Sequence, residues 1–537
     1  MNAREFRYKR WVAGTLLRTG MVAPMRPDRA VRTFLTLRRW GPNSASAYAI
    51  SAIRYPRRTA LIDERGSLTF EEVHRRTNAL ARALGKAGIA EGDGVAIMCR
   101  NHRGFVDATV ACSKLGAGAL YLNTAFAGPQ ITDVLEREAP VAVIYDQEFS
   151  GLVSDGAAGR LRFIAWSEPE ADLSDPVLDD LISSTDASEV SPPLSQGRTV
   201  ILTSGTTGTP KGAPREQPDS LEPSAALYSK IPLRARETTV IAAPMFHSWG
   251  LAHFILSLPL ASTLVLRRVF DPERTLDDVA RHQATALVLV PVMLQRIMEL
   301  PPETISRLRS SSLRVVALSG SALPGELATR AMDALGDVLY NLYGSTEVAW
   351  ASIATPRDLR AAPGTAGRPP RGTVVKLFDS DGNEVGPGES GRIFVANEMV
   401  FGGYTDGGGK ETIGGLMSTG DVGRFDSAGR LFVEGRDDEM IVSGGENVFP
   451  REVEDLLSNY GGVEDVAVVG VEDEQFGQRL KAFVVPRNGA QLTELMIQKH
   501  VRENLARYKV PREVVFMDEL PRNSTGKILK RQLRGAG

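Results

Sequence analysis

The chain has 537 residues, too many for one hydrophobic core, so two to four folding units are expected. Hydrophobic residues make up 42% and charged residues 24%, and the formal net charge is −2. A single-core protein is thereby excluded, and so is a chain whose overall field would draw nucleic acid. The two cysteines, Cys99 and Cys112, sit in separate hydrophobic stretches with no CxxC motif. They read as small buried residues of a reducing, cytoplasmic compartment rather than as disulfide or zinc ligands. No apolar run reaches the ~18–20 residues that span a bilayer. Arg and Lys interrupt every short apolar run near the start, which argues against a secretory signal.

Residues 1–40 form a basic arm, with ten Arg or Lys against Glu5 and Asp28, a local charge of +8. Val31, Phe34, Leu35, Leu37 and Trp40 fit one helical face flanked by Arg32, Arg38 and Arg39. That pattern suits an anionic membrane surface. It equally suits a solvated arm packed on its own domain, and an Arg-rich, acid-poor start is also the mark of a mitochondrial transit peptide. Thr69 and Glu72 form a capping-box pair ahead of a helix over 71–86. Strands are expected at 95–98, 141–145, 200–203, 240–243, 264–266, 287–290 and 315–318, with a helix over 105–115 and further helical stretches between. The alternation indicates α/β architecture with largely parallel sheets. The segment 167–198, with eight acids and one Arg, reads as a surface connection. After residue 373, strands at 373–378 and 391–396 separated by Asp381-Gly382-Asn383 and Gly386-Pro387-Gly388 indicate a small β-rich subdomain. From about residue 439 a compact α+β unit follows. Its expected helices are 452–457 and 493–506, and its strands 466–471, 482–485 and 514–517.

The strongest local signal is Thr203-Ser204-Gly205-Thr206-Thr207-Gly208-Thr209-Pro210-Lys211-Gly212, directly after a strand. Glycines allow tight turns, hydroxyls and successive N–H groups make an anion-binding concavity, and Lys211 adds a point charge. No Walker A spacing fits it. Other short motifs follow in order: Phe246-His247-Ser248-Trp249-Gly250, Tyr343-Gly344-Ser345-Thr346-Glu347, Ser418-Thr419-Gly420-Asp421, Gly435-Arg436-Asp437-Asp438-Glu439-Met440-Ile441, Ser443-Gly444-Gly445-Glu446-Asn447, and Pro521-Arg522-Asn523-Ser524-Thr525-Gly526-Lys527. Together they span roughly residues 50–535.

This ordered set resembles the acyl-adenylate-forming superfamily of acyl-CoA synthetases, adenylation domains and beetle luciferases, and is most similar to a fatty-acyl-CoA synthetase. The resemblance implies a large N-terminal domain over 41–436, built of two doubly wound α/β subdomains plus a small β-barrel-like subdomain. A hinge at 437–438 then leads to a mobile α+β domain over 439–537. It implies catalytic positions at Thr206, Lys211, His247 and Lys527. Nucleotide and coenzyme contacts are implied at Thr203, Ser204, Gly205, Thr207, Gly208, Tyr343, Gly344, Thr346, Asp421, Arg436, Gly444 and Gly445. Glu347 is the implied Mg²⁺ ligand, a hard oxygen donor. Tyr343 would offer its aromatic face to adenine, and Asp421 would accept hydrogen bonds from the ribose hydroxyls. His247, Trp249, Gly320, Ser321 and Ala322 would line the acyl pocket, and Asp438, with a one-residue ambiguity toward Asp437, would be the pivot. Taken alone, His247 is also compatible with a buried structural histidine, and Lys527 with a solvated tail lysine.

The sequence departs from the family at Gly414-Gly415-Leu416-Met417-Ser418, which lacks the aromatic residue many relatives carry there, and in the glycine-rich run 406–409. The implied reaction uses ATP and Mg²⁺ to convert a carboxylic acid to an acyl-adenylate with release of pyrophosphate. The acyl group then passes to coenzyme A. A medium- or long-chain fatty acid is expected, with an aryl acid as the alternative. A carrier protein is the alternative acceptor; that no carrier module fits after residue 537 weighs only against a multidomain peptide synthetase. Nothing in the sequence argues for a luciferase-like oxygenase, and intact Lys211, Glu347, Asp421 and Lys527 argue against a catalytically dead scaffold.

Overall fold

The computed structural model of the chain describes residues 3–168, 171, 173–203, 210–215, 218, 220–309, 312–443, 446–473, 477–523 and 526–534. It opens with three helices, α1 (Ala3–Arg18), α2 (Pro27–Trp40) and α3 (Ser44–Arg54). α1 is docked on the body of the protein. Val12 and Thr15 are buried, and the Arg371 guanidinium lies 5.7 and 4.9 Å from the ring centres of Tyr8 and Trp11. The start of α3 is fixed by a reciprocal cap: the Asn43 side chain accepts the Ser46 N–H at 2.8 Å, and the Ser46 hydroxyl accepts the Asn43 N–H at 3.1 Å. α2 buries no residue. The single apolar face expected there divides. At about 100° per residue, Val31, Phe34 and Leu35 point outward, whereas Leu37 falls on the flank nearer Thr33 and the half-buried Trp40.

Eight strands form the first sheet. Their order is Ser352–Ala354, Leu339–Tyr343, Val315–Leu318, Ala286–Leu289, Thr238–Ile241, Thr263–Leu266, Thr59–Asp63 and Gly66–Thr69. All neighbouring pairs are parallel except the two edges. The second sheet runs Leu161–Trp166, Ala142–Asp146, Gly94–Met98, Gly118–Tyr121, Thr199–Thr203 and Lys211–Arg215, parallel up to its last, antiparallel strand. These strands are short, nearly continuous apolar runs because helices cover both faces, as parallel sheets require. The helix Phe70–Lys86 begins on the expected capping box, with the Thr69 N–H donated to the Glu72 carboxylate at 2.6 Å and the Glu72 N–H to the Thr69 hydroxyl at 3.2 Å.

The acidic stretch 167–198 is more structured than a surface connection. It contains the helix Leu178–Ser184, and Asp179 bridges Arg65 at 2.6 Å and Arg76 at 2.5 Å. Cys99 and Cys112 are buried, and burial pushes the Cys112 thiol up to about 12.

Residues 374–436 form a five-stranded antiparallel sheet of Val374–Phe378, Gly391–Ala396, Leu416–Phe425, Thr412–Ile413 and Leu431–Arg436. Leu416, in the stretch that lacks an aromatic, is buried with Phe378 and Phe394, so rings from neighbouring strands fill that layer. The C-terminal unit is a second five-stranded sheet carrying the helices Pro450–Ser458 and Glu494–Asn504 over its own core of Val453, Leu457, Val468, Ile497 and Val501.

Candidate active site

Open parallel sheets bind ligands outside the carboxyl ends of their strands. The predicted motifs gather there. Thr238–Ile241 leads to His247 and Trp249, Val315–Leu318 to Gly320–Ala322, Leu339–Tyr343 to Glu347, and Thr199–Thr203 of the second sheet to Lys211. A continuous cavity of about 1550 Å³ runs past them. Thr203, Lys211, His247, Trp249, Gly320, Ser321, Ala322, Tyr343, Gly344, Thr346, Glu347, Asp421, Arg436 and Lys527 all line it. Ser204, Gly205, Thr206, Thr207, Gly208, Gly444 and Gly445 lie outside the described residues.

Glu347 is buried, and its backbone is tied down by the Phe401 N–H, donated to its carbonyl at 2.8 Å. Burial works against its ionisation. The Tyr404 hydroxyl, donated to Oε1 at 2.6 Å, outweighs this together with Ser345 and the nearby Lys410, and holds the carboxyl below its usual range. Burial and the same carboxylate push the Tyr404 phenol upward, so it remains a donor. The glycine-rich run after Tyr404 closes into a turn on the neighbouring strand. The Tyr404 N–H reaches the Gly408 carbonyl at 2.8 Å, the Thr405 N–H reaches the Gly212 carbonyl at 2.9 Å, and Asp406 pairs with Lys211 at 3.1 Å. Lys211 Nζ also lies 5.2 Å from the Tyr404 ring centre. Beneath them Arg215 donates to the carbonyls of Thr346 and Met399.

Asp421 and Arg436 face each other as register partners on adjacent strands, with Arg436 Nη1 3.5 Å from Asp421 Oδ1. The Tyr343 hydroxyl is donated to Asp421 Oδ2 at 2.6 Å. Burial raises the Asp421 carboxyl, against the lowering pull of Arg436, Tyr343 and Lys527. Tyr343 therefore holds Asp421 through its hydroxyl. Arg436 also holds Asp438 at 3.0 Å, at the short helical turn Asp437–Glu439 that leads into the C-terminal unit.

His247 stands at the N-cap position of the helix Ser248–Ser257 without a side-chain cap bond, and burial pushes its imidazole down to about 4, so it is neutral at physiological pH. Trp249 is fixed by its indole N–H, donated to the Leu289 carbonyl at 3.0 Å, and by edge contact with His253 at 4.4 Å. Gly250 is needed for space, since a Cβ there would stand 2.3 Å from the Pro244 carbonyl oxygen.

Lys527 enters from the other unit. Its tight turn is held by the Gly526 N–H on the Asn523 carbonyl at 2.8 Å and by the Lys527 N–H on Asn523 Oδ1 at 2.8 Å. Gly526 has a φ of 78°, and a Cβ there would fall 2.2 Å from Val292 Cγ1, a side chain of the large unit. Backbone contact of this closeness seats Lys527 in the cleft.

Three cavity residues escape sequence reasoning. Tyr404 and Lys410 flank the glycine-rich run 406–409, and only their interactions across the fold mark them. Asn341 is buried in the cleft with Oδ1 unpartnered among the described residues; its position two residues before Tyr343 was the available signal.

Strand-end motifs, a long cleft and a lysine delivered by a second domain define a two-domain nucleotide-using enzyme. Comparison with known proteins agrees. The AMP-binding enzyme family model matches residues 49–405, and the AMP-binding enzyme C-terminal domain matches residues 452–527. The chain is 34% identical over 489 residues to a feruloyl-CoA synthase from an Amycolatopsis species, covering 89% of this chain and 96% of that one. It is 33% identical over 485 residues to a 2-succinylbenzoate–CoA ligase from Geobacillus kaustophilus, covering 89% and 95%. Among solved structures, ATP-bound MatB from Rhodopseudomonas palustris superposes with a TM-score of 0.80 at 26% identity, covering 92% of this chain and 98% of that one. The chain belongs to the AMP-binding enzyme family, within the acyl-adenylate-forming superfamily. Within it, the protein is an AMP-forming acid–CoA ligase.

Proposed function

We propose that the protein activates a medium- or long-chain fatty acid with ATP and passes it to coenzyme A. The observation that carries this reading is the reach of the cavity. Besides Lys527 and Asp421, its lining takes in Trp249 and Leu258, Ala47 and Ile50 of α3, and Met21, Val22 and Met25. Apolar Met21, Val22, Met25, Leu37, Ala47 and Ile50 share that part of the wall with polar Thr33, Asn43, Ser44, Ser46, Ser51 and Arg54, and room lined in this way beyond the nucleotide motifs suits an acyl chain.

In this reading a carboxylate oxygen attacks the α-phosphorus of ATP and the bond to pyrophosphate breaks, giving the mixed anhydride. The chain's task is to hold two anions together and neutralise their charge. Lys211 exchanges Asp406 for phosphate oxygens, and the loop residues Ser204, Gly205, Thr206, Thr207 and Gly208 cradle them. Thr346 lies by the α-phosphate, and Lys527 stabilises charge on the attacking carboxylate and the α-phosphate. Asp421, kept in place by Tyr343 and Arg436, accepts the ribose hydroxyls. The unpartnered Asn341 Oδ1 offers the adenine amino group an acceptor. Glu347, a buried hard-oxygen anion held ionised at the cavity wall, fits Mg²⁺. When bound, Mg²⁺ would neutralise charge on the phosphates. Neutral His247 and Trp249 separate the nucleotide from the acyl tract. The thiol of coenzyme A then attacks the acyl carbonyl and AMP leaves. For this second step the C-terminal unit turns about Asp438, withdrawing Lys527 and bringing in Gly444 and Gly445 to line the thiol path.

An aryl acid is the second reading, favoured by the feruloyl- and succinylbenzoate-CoA enzymes among the relatives. Acid-dependent pyrophosphate release and CoA thioester formation, measured over a panel of fatty and aryl acids, separate the two. Ala47→Phe narrows the cavity at α3. It should cut kcat/KM for long fatty acids by about tenfold or more, as packing a side chain into substrate space does, and spare short or aryl acids. Equal loss for all acids, or a clear preference of the native protein for aryl acids, would overturn the fatty-acid reading.

A further inference from the structure

The described N-terminal segment presents an inverted amphipathic helix. On α2 the half-buried positions are polar or amphipathic, namely Arg29, Thr33, Thr36 and Trp40. Arg29 donates to the Arg54 carbonyl at 2.9 Å, which ties the helix to α3 by its polar side. The opposite side carries Phe34 at 63%, Val31 at 58% and Leu35 at 48% exposure. Contiguous exposed apolar side chains on a helix mark an interaction surface. Arg38 lies within this face, and Arg32 and Arg39 lie along its flank. Among the described residues none of these three arginines forms a salt bridge, although Arg32 is near enough to Glu189 to help lower its carboxyl. The arm carries +8 on a chain whose total is −2, so the positive charge is concentrated beside the apolar face.

A second observation joins this face to the reaction. Val22, Met25, Leu37 and Ile255 both line the cavity and are open to solvent, Val22 at 62% and Ile255 at 49%. Residues with both properties mark a mouth. This mouth includes Leu37 of α2 together with Val22 and Met25 of the segment that leads into it. No described helix is long and apolar enough to cross a membrane.

We propose that α2 seats on an anionic lipid bilayer and that the mouth at its Leu37 flank admits a carboxylic acid dissolved in that bilayer. The partner is committed to by charge complementarity and by the continuity of the apolar face with the cavity. Phe34, Val31 and Leu35 enter the boundary between headgroups and acyl chains, the arginines meet lipid phosphates, and the mouth between Val22, Met25 and Leu37 opens onto the apolar layer. The inference rests on the reading that the acid is hydrophobic.

The experiment uses the full-length protein with vesicles of phosphatidylcholine alone and vesicles in which phosphatidylglycerol replaces part of it. Cosedimentation should be strong only with the anionic vesicles and should weaken as salt rises. The double variant Phe34→Glu/Leu35→Glu changes residues that do not line the cavity. It should bind at least about tenfold more weakly, since it loses apolar insertion and gains repulsion. It should keep native kcat/KM for a short water-soluble acid and lose rate only on a long acid supplied in anionic vesicles. Equal binding of native protein and variant, equal binding to both vesicle types, or no vesicle binding overturns the proposal. So does native self-association without vesicles that the variant abolishes, because α2 would then be covered by a second copy. If no acid yields a CoA thioester, the functional reading fails, while the vesicle data still decide whether α2 binds lipid.

Discussion

Tyr404→Phe tests whether the buried carboxylate of Glu347 is tuned from outside its own motif. The change deletes one hydroxyl, which donates to Glu347 Oε1 at 2.6 Å. The ring stays, and with it the edge contact to Phe401 at 4.8 Å and the Lys211 cation at 5.2 Å, so the turn remains packed. A hydrogen bond to an ionised group contributes about 1.5–3 kcal/mol, and each ~1.4 kcal/mol is a factor of ten. Loss of adenylation at limiting Mg²⁺ should therefore be about ten- to a hundredfold. Burial alone would raise the Glu347 carboxyl, and Tyr404 is the largest influence lowering it. Without the hydroxyl the carboxyl rises, less of it is ionised at a given pH, and the acidic limb of the rate profile moves to higher pH. The assay is acid-dependent pyrophosphate release across Mg²⁺ concentration and pH, with Glu347→Gln as the reference that cannot ionise. An unchanged Mg²⁺ requirement together with an unmoved acidic limb would refute the reasoning.

Gly526→Val places a branched side chain where a Cβ would already be 2.2 Å from Val292. It should suppress pyrophosphate release while leaving conversion of supplied acyl-adenylate and coenzyme A to thioester largely intact, and single-turnover kinetics of each step checks this. Lys527→Ala should show the same split, with adenylation down about 10²–10³-fold for loss of one electrostatic stabiliser; equal slowing of both steps would count against a rotating C-terminal unit. Lys114 is buried among the Asn78, Thr77 and His74 oxygens at 2.6, 2.8 and 3.0 Å, and burial pushes its ammonium down to about 7. The unfolded chain then holds more protons than the native state between about pH 7 and the ordinary lysine range. Lys114 accordingly adds stability that is fully present above that range and is lost as pH falls toward 7. Denaturant titrations of the native protein minus Lys114→Met should show this slope, and a flat difference would exclude it.

The sequence by itself determined the alternation of apolar runs and helices, the capping box at Thr69, the ordered motifs and the approximate place where one style of fold gives way to the next. Each is a local property, set by side-chain period, turn chemistry or a short run of glycine and hydroxyl residues. Tertiary structure alone decided which side of α2 faces outward, because Val31, Phe34, Leu35 and Leu37 look like one stripe until Arg29 anchors the other side to Arg54. It also made Tyr404 the partner of Glu347, and Asp406 of the adjoining glycine run the partner of Lys211. Those contacts join residues 57 and 195 positions apart, and no local pattern reports them. The acids at 175 and 179 look like solvated surface in sequence and become anchors only when Tyr145, Arg65 and Arg76 are brought to them. What stays hidden in the sequence is pairing across the fold, since the energy of an ion pair or a buried hydrogen bond depends on separation in space and on exclusion of water, and neither is written in chain order.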